Sequence, residues 1–261
     1  MKKKRSKKAI VGIVMMSVLL LFVIVGIFYT PYNPNEMDAA VKNMPPSLQH
    51  WFGTDNFGRD ILSRVMEGSK ETFLIAFCTV VIGCVIGSFV GAVTGYFGGI
   101  LDTVIMRIND VLLSFPYILL GLVVISLLGI GKYKIIIAMG IIFIPGFARV
   151  VRSEFVTQKE LDYVKNARLM GASHLRVMFI HILPNTFPII LSTLTIAFNN
   201  AVLTEAALSF LGLGVQPPDA SLGRMLSEAQ AYLVNAPWYA LAPGIMIALT
   251  VLAFSLINER E

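Results

Sequence analysis

Long runs of apolar residues, separated by shorter polar segments, dominate this chain and predict its architecture. A helix needs about 20 apolar residues to cross the hydrocarbon core of a bilayer. Six runs are long enough, and we expect transmembrane helices over residues 9–29, 73–97, 104–130, 134–153, 185–211 and 238–257. The third run begins with polar residues and contains Pro116, which predicts a kink. The pattern therefore predicts an all-α membrane protein.

The polar segments predict how the chain is arranged across the membrane. The basic start KKKRSKK resembles that of a signal peptide, but the apolar run after it is too long, which favours a retained anchor. With the N-terminus in the cytoplasm, most of the 21 lysines and arginines fall on that side, as the positive-inside rule requires. The predicted order is a basic cytoplasmic tail (1–8), a transmembrane anchor (9–29), an external segment (30–72), a transmembrane core (73–257) with a cytoplasmic loop (154–184), and a cytoplasmic C-terminus (258–261).

Composition agrees with a membrane protein and excludes other classes. Charged residues make up 14% of the chain and apolar residues 56%, whereas a soluble domain carries roughly 25% charged residues. The formal charge of +5 does not indicate a nucleic-acid partner, because the basic residues lie at the ends of apolar runs, where they meet membrane lipid. Cys78 and Cys84 share one predicted helix and do not face each other, so a disulfide is not expected.

The cytoplasmic loop contains a basic segment whose pattern predicts two short helices. Apolar residues recur at helical spacing up to Gly171, which can adopt the left-handed conformation that ends a helix. Ser173 is a suitable N-cap for a second helix, and Pro184 can begin the next transmembrane helix. Such a segment fits two interpretations. It is either an interfacial helix resting on anionic lipid or a rigid projection that docks into another protein.

Three stretches carry a recognisable family pattern. The cytoplasmic loop resembles the "EAA" loop of bacterial ABC-importer permeases at Ala167, Gly171, Ile180, Leu183 and Pro184, although Lys165 stands where that family usually has glutamate. WFGTDNFGRDILSR (51–64) resembles the external segment of the dipeptide, oligopeptide and nickel permeases. EAALSFLGLGVQPPDASLGRML (205–226) resembles the region around their fifth helix. The resemblance covers nearly the whole chain, but SLINERE replaces the longer C-terminal tail usual in the family.

This resemblance implies a fold, a function and partners. The fold is that of a type I ABC importer permease, with six transmembrane helices and a cytoplasmic coupling-helix loop. The function is to form, with a second homologous permease (a heterodimer), the path for di- or oligopeptides delivered by an extracellular binding protein. Nickel or a metal chelate is the alternative cargo. Two ATP-binding cassette subunits would supply energy, and the complex would lie in the bacterial cell membrane. The residues implied in coupling to these subunits are Ala167, Gly171, Ala172, Ser173, Leu183 and Pro184.

Catalytic chemistry is not expected on this chain. It contains no GxxxxGK[ST] nucleotide-binding pattern, no HExxH and no GxSxG, so no catalytic residue, cofactor or intramembrane enzyme activity is predicted. ATP and Mg²⁺ would be used by the partner subunits. His50, His174 and His181 are not spaced as metal ligands, so no metal site is predicted. A channel or secondary transporter that works alone is the more remote alternative, and the absence of a repeated motif in the two halves weighs against it.

Two further groups of polar residues are candidates for function, and each has a structural alternative. Polar side chains at membrane depth either line the transport path or form hydrogen bonds between helices, and these are Asn109, Asp110, Asn199, Asn200 and Glu205. A compact external turn either contacts the binding protein or braces the fold locally, and its members are Asp55, Gly58, Arg59 and Asp60. Gly83, Gly87, Gly91 and Gly95 repeat every four residues, which predicts close helix packing.

Overall fold

The computed structural model of the protein describes residues 7–258, and its regular structure is helical. The helices are α1 (Lys7–Phe28), α2 (Ile61–Phe97), α3 (Gly99–Leu113), α4 (Tyr117–Leu128), α5 (Lys132–Gln158), α6 (Asp162–Leu169), α7 (His174–Phe210), α8 (Leu222–Ala229) and α9 (Pro237–Asn258), with short 3-10 turns at Ala39–Val41 and Gln230–Tyr232. Within the described range, β pairing is limited to one isolated antiparallel bridge between Thr54 and Asp60. The predicted all-α class is confirmed.

The membrane-spanning helices follow the predicted order. Within residues 7–258, five helices are long and apolar enough to cross a bilayer, namely α1, α2, α5, α7 and α9. The pair α3 and α4 makes a sixth candidate, bent by 100° at a short break. That break contains Pro116, which lacks an N–H and disfavours helical geometry at the residue before it. The kink predicted at this proline is therefore confirmed.

Helix α2 begins earlier than predicted. It starts at Ile61 instead of residue 73, and it runs for 37 residues, or about 55 Å. Its first turns escape a search for apolar runs because they carry four charged side chains, among them the fully buried Arg64. The helix is longer than the roughly 30 Å hydrocarbon core, so its first turns need not lie in lipid.

Helix α7 corrects a second prediction, that Pro184 begins a fresh transmembrane helix. One continuous helix runs from His174 to Phe210. Its second part, Val177–Ile182, is a widened π-helical turn, in which the N–H of Leu183 donates to the carbonyl of Met178, five residues earlier. A widened turn relieves the clash between a proline ring and the carbonyl four residues before it, so the helix can pass through Pro184 unbroken.

The described residues form two compact units. The first unit comprises residues 7–77, 125–135 and 199–258, and the second comprises 78–124 and 136–198. In the first unit, α1 packs closely along α9, and a Cβ added at Gly12 would lie 2.8 Å from the carbonyl oxygen of Ala253. Many other α1 side chains are exposed, as in a helix whose remaining faces meet lipid.

The second unit contains the glycine seam predicted from the repeat in α2. Each of the four glycines faces α5 so closely that an added Cβ would lie within 2.8 Å of an α5 atom. The closest approach is at Gly91, 2.4 Å from the carbonyl oxygen of Ala148. The predicted packing role is confirmed. Because small residues let the two backbones approach, α2 and α5 form a firm base for the loop that follows α5.

Candidate functional site

The cytoplasmic loop folds as two helical pieces joined by a sharp turn, which we call the coupling segment (159–184). Helix α6 ends at Leu169, and Gly171 after it has a φ of +82°, as the sequence predicts. The N–H of Gly171 donates to the carbonyl of Arg168 (2.9 Å), and that of Ala172 donates to the carbonyl of Ala167 (3.0 Å). This is the hydrogen-bond pair of a Schellman motif, which requires a left-handed residue at the position of Gly171.

Ser173 opens the second piece of the coupling segment. Its Oγ accepts the N–H of Arg176 at 3.4 Å, so its predicted role as N-cap of α7 is confirmed. Leu183 and Pro184 lie farther along α7, after the π-helical turn. The tip of the segment is thus directly continuous with a membrane-spanning helix.

A cluster of buried side chains fastens the coupling segment to α2 and α5. Its members are Ala92, Tyr96, Val151, Phe155, Val164, Val177, Met178, Ile182 and Ile190. Polar contacts reinforce it: the Tyr96 hydroxyl lies 2.8 Å from Nδ1 of His174, and Lys159 Nζ donates to the carbonyl of Gly95 at 3.0 Å. The guanidinium of Arg168 lies over the Tyr96 ring at 5.0 Å. The segment is therefore held firmly on the helices beneath it.

The tip of the coupling segment presents apolar side chains that the described chain leaves uncovered. Leu169 is 85% exposed, Met170 88% and Leu175 67%. Lys165 and Arg176 beside them are also exposed. Lys165, which replaces the glutamate usual in the resembling family, has Glu160 at 3.6 Å, and both side chains are more than half exposed. A firm base with an apolar tip and a basic border can dock into a groove on another protein.

The predicted external turn is buried, which favours its role as a brace. Asp55, Arg59 and Asp60 are almost completely inaccessible, and Arg59 Nε donates to Asp55 Oδ2 at 2.5 Å. Asp60 accepts hydrogen bonds from the backbone N–H and the hydroxyl of Ser63. Gly58 has a φ of +78° and lies so close to the Asp38 carbonyl that no Cβ fits there.

Arg59 and Asp55 belong to a larger group that we call the buried charge cluster, consisting of Asp55, Arg59, Arg64, Glu228 and Tyr239. Glu228 Oε2 accepts from Arg59 Nη2 and from the Tyr239 hydroxyl, each at 2.9 Å. Burial alone would lower the pKa of Arg59, but Asp55 and Glu228 outweigh it and raise that pKa. Burial would raise the pKa of Glu228, but the two arginines outweigh it and lower that pKa. Arg59 and Glu228 are therefore held in their charged forms.

Three members of this cluster, Arg64, Glu228 and Tyr239, are absent from the sequence-based candidates. Arg64 lies near the start of a long apolar helix and Glu228 in the polar segment before the last one. A charged side chain next to or within an apolar helix needs a buried partner of opposite charge. This need is the sequence signal by which Arg64 and Glu228 could have been found. The partner itself could not be identified, because Arg59 and Glu228 are separated by 169 residues in sequence.

The polar residues predicted at membrane depth have different surroundings. Asn109 is buried and donates to the carbonyl of Pro145 on α5 at 2.9 Å, while Asp110 pairs with the half-exposed Arg149. Glu205 is completely buried and accepts from the Ser209 hydroxyl at 2.6 Å. Asn199 and Asn200 are half-buried. Helix-to-helix bonding thus occupies Asn109 and Asp110, and local bonding occupies one carboxylate oxygen of Glu205.

The histidines and carboxylates of the described residues do not assemble into a metal centre. Among residues 7–258, no group of three or more His, Cys, Asp or Glu side chains is placed to hold a metal ion. Instead, His50 pairs with Asp60 at 2.9 Å, and His174 pairs with Tyr96.

Comparison with known proteins places this architecture in a family. Residues 71–260 match the family described as "Binding-protein-dependent transport system inner membrane component". The chain belongs to this family. Residues 4–46 of the permease also match the "N-terminal TM domain of oligopeptide transport permease C".

Curated relatives extend over most of the permease. The dipeptide transport system permease protein of Haemophilus influenzae is 36% identical, over 98% of this chain and 89% of its own length. The glutathione transport system permease protein of Escherichia coli O6:K15:H31 is 42% identical, over 92% of this chain and 81% of its own length. The permease is therefore a multi-pass, inner-membrane subunit of an ABC importer.

Solved structures confirm the predicted type I importer fold. The MetNI methionine ABC transporter in an inward-facing conformation matches with a TM-score of 0.59 at 23% identity, over 72% of this chain and 90% of its own. An amino acid ABC transporter matches with a TM-score of 0.54 at 20% identity, over 74% of this chain and 89% of its own. At these identities the likeness concerns the fold alone.

Proposed function

We propose that this permease forms, with a second homologous permease, the translocation path of a peptide importer. An extracellular binding protein delivers the peptide, and two ATP-binding cassette subunits drive transport. Those subunits bind and use ATP and Mg²⁺, and this chain binds no cofactor of its own. Peptide cargo is supported by the relatives, since one is named for dipeptides and another for glutathione, itself a small peptide. These relatives lend no support to the alternative cargo of nickel or a metal chelate.

The observation that carries this proposal is the form of the coupling segment. Its apolar tip is uncovered, its base is fastened to α2 and α5, and its second piece is the first part of the long helix α7. When the ATPase subunits close, a groove that grips the tip moves it. The continuous helix α7 then carries that displacement as far as Phe210, which can switch the path between inward-open and outward-open arrangements.

Helix lengths favour docking into a protein over rest on a lipid surface. Helix α5 has 27 residues and is therefore about 40 Å long, which exceeds the roughly 30 Å hydrocarbon core. Helix α7 has 37 residues, or about 55 Å. A bilayer is about 40–45 Å thick with its headgroups, so α7 is long enough to place its first residues, and with them the tip, beyond the headgroups in water. There, exposed apolar side chains such as Leu169 and Met170 need a protein partner.

The orientation of the chain gives a direct test. A reporter fused after Glu261 and another inserted near Lys159 should both report the cytoplasm, whereas one inserted near Lys42 should report the outside. The expected result follows from the distribution of lysine and arginine. Reporter activity or cysteine labelling in intact cells is the measurement. An external location for the Lys159 reporter would contradict the coupling role.

Reconstitution tests the function itself. The permease pair, purified from its host, should bring the ATPase subunits with it. In vesicles it should accumulate labelled di- or oligopeptides only with ATP and the binding protein. The assay is run in parallel with a nickel chelate, and the ligand retained by the isolated binding protein is identified by mass spectrometry. Uptake without ATP, or a preparation free of ATPase subunits, would support a channel or secondary transporter instead.

A further inference from the structure

A cavity of about 520 Å³ lies above the buried charge cluster in the first unit. It is lined by the external segment (Met37 and Phe57), by the turn at residues 217–218, and by α8 with Arg224 and Glu228. The external segment is far in sequence from the turn and α8, which follow each other closely along the chain. The rim of the cavity remains accessible, whereas Asp55, Arg59 and Asp60 are buried.

The cavity has an exposed apolar rim and a charged floor. On the rim, Met37 is 59% exposed and Phe57 41%, and both prolines of the turn are exposed. On the floor lie Arg59, Arg224 and Glu228. Methionine, aromatic residues and arginine are enriched at protein interfaces, where apolar groups exclude water around a polar anchor. The cavity has this composition.

The floor of the cavity has an excess of positive charge. Arg59 and Arg224 line it against the single carboxylate of Glu228. The cluster beneath adds Arg64 and Asp55, which cancel each other in charge. Glu228 already accepts three hydrogen bonds, from Arg59, Arg224 and the Tyr239 hydroxyl. Among the residues that line the cavity, one positive charge is therefore unmatched.

Arg224 is the residue that can use this excess. Its side chain is 22% exposed, whereas that of Arg59 is 3% exposed. In the described residues its side chain donates one hydrogen bond, from Nε to Glu228 Oε1 at 3.1 Å, which leaves both terminal nitrogens available. A guanidinium with two free terminal nitrogens binds a carboxylate through paired hydrogen bonds.

We propose that this cavity receives an acidic side chain of the extracellular binding protein, with Arg224 as its counter-ion. The partner is chosen because the family is defined by dependence on a binding protein, and because an exposed apolar rim fits a protein surface better than a soluble ion. The inference rests on the proposed function, which puts this cavity on the external side. Arg59 and Asp55 then act from below, holding Glu228 and through it Arg224 in place.

The test measures the affinity of the binding protein for the complete complex of permeases and ATPase subunits in nanodiscs, by biolayer interferometry. Arg224→Ala should weaken binding on the order of tenfold, and Arg224→Glu should weaken it further. Lys42→Ala is the matched control. It removes a positive charge from the external segment (30–72), at an exposed residue that does not line the cavity, and should leave the affinity unchanged.

A second pair of variants tests the charge without disturbing Glu228. Met37 lies on the exposed rim, so Met37→Glu should repel an acidic side chain and weaken binding, whereas Met37→Lys should preserve or strengthen it. Equal weakening by both would show that only the shape of the rim matters and would overturn the proposed chemistry.

The remaining outcomes separate this inference from the proposed function. If the unaltered complex binds no binding protein, the proposed function fails and the docking site fails with it. If the unaltered complex binds and both Arg224 variants bind equally well, only the docking site is overturned. A third outcome is also possible: Arg224→Ala leaves the affinity for the binding protein unchanged, abolishes uptake of free peptides and preserves uptake of C-terminally amidated peptides. In that case the cavity binds the carboxylate of the cargo, and the inference is wrong.

Discussion

Replacing Glu228 with alanine should prevent the permease from being recovered as a folded protein. The change would leave the buried guanidinium groups of Arg59 and Arg64 with the single carboxylate of Asp55 between them. Removing one partner of a buried ion pair costs about 3–5 kcal/mol, because the remaining charge stays desolvated and uncompensated. The Tyr239 hydroxyl, which now donates to Glu228, would lose its acceptor as well.

Thermal unfolding in detergent, followed by fluorescence-detected size exclusion, is the measurement. Glu228→Gln should be intermediate, since it keeps an acceptor for Tyr239 but removes the charge. The matched control is Glu67→Ala on α2. Its pair with Lys70 is partly exposed, so its loss should cost less than about 1 kcal/mol. Equal unfolding temperatures for the Glu228→Ala and Glu67→Ala proteins would show that the buried charge cluster does not stabilise the fold.

The same cluster predicts a dependence of stability on pH. The pKa of Glu228 is lowered in the folded protein from its ordinary value of 4.5. A lowered carboxylate pKa contributes stability that is complete above the unfolded value and is lost as the pH falls through the folded value. The contribution of Glu228 should therefore be constant at neutral pH and decline only below about pH 4.5, a decline that Glu228→Gln should lack.

Gly171→Val should abolish transport while leaving the protein folded and inserted. Gly171 has a φ of +82°, and no atom lies within 4 Å of the position that an added Cβ would take. The effect would therefore come from the backbone, because a left-handed conformation costs a residue with a side chain roughly 1–2 kcal/mol. To avoid this cost the turn must change, which re-aims α7 relative to α6 and moves Leu169 and Leu175 out of register with their groove.

The measurements are uptake of labelled peptide and recovery of ATPase subunits from the same detergent extract. Gly171→Asn is the control, since asparagine tolerates the left-handed conformation better than other residues with side chains, and it should keep most activity. Full uptake and full ATPase recovery in Gly171→Val would contradict the coupling role. They would favour a segment that rests on lipid, where binding depends on summed apolar area and charge.

Much of this protein follows from its sequence, because the relevant interactions are local. Apolar runs determine which segments are membrane helices, and Pro116 marks the break between α3 and α4. Gly171 and Ser173 form their predicted turn and cap because both depend on a few neighbouring residues. The glycine repeat of α2 indicated close packing because a period of four places small residues on one helix face.

Other features depend on long-range contacts, and only the tertiary structure decided them. The sequence offered Asp55 and Arg59 as either a contact or a brace, and it could not choose, because their burial depends on α8 and α9. Likewise, Pro184 does not interrupt α7, because a π-helical turn before it accommodates the ring. Periodicity and local propensity depend on residues close together in sequence, so they can be predicted from the sequence alone. Burial and the pairing of Arg59 with Glu228 arise only when segments 169 residues apart are brought together.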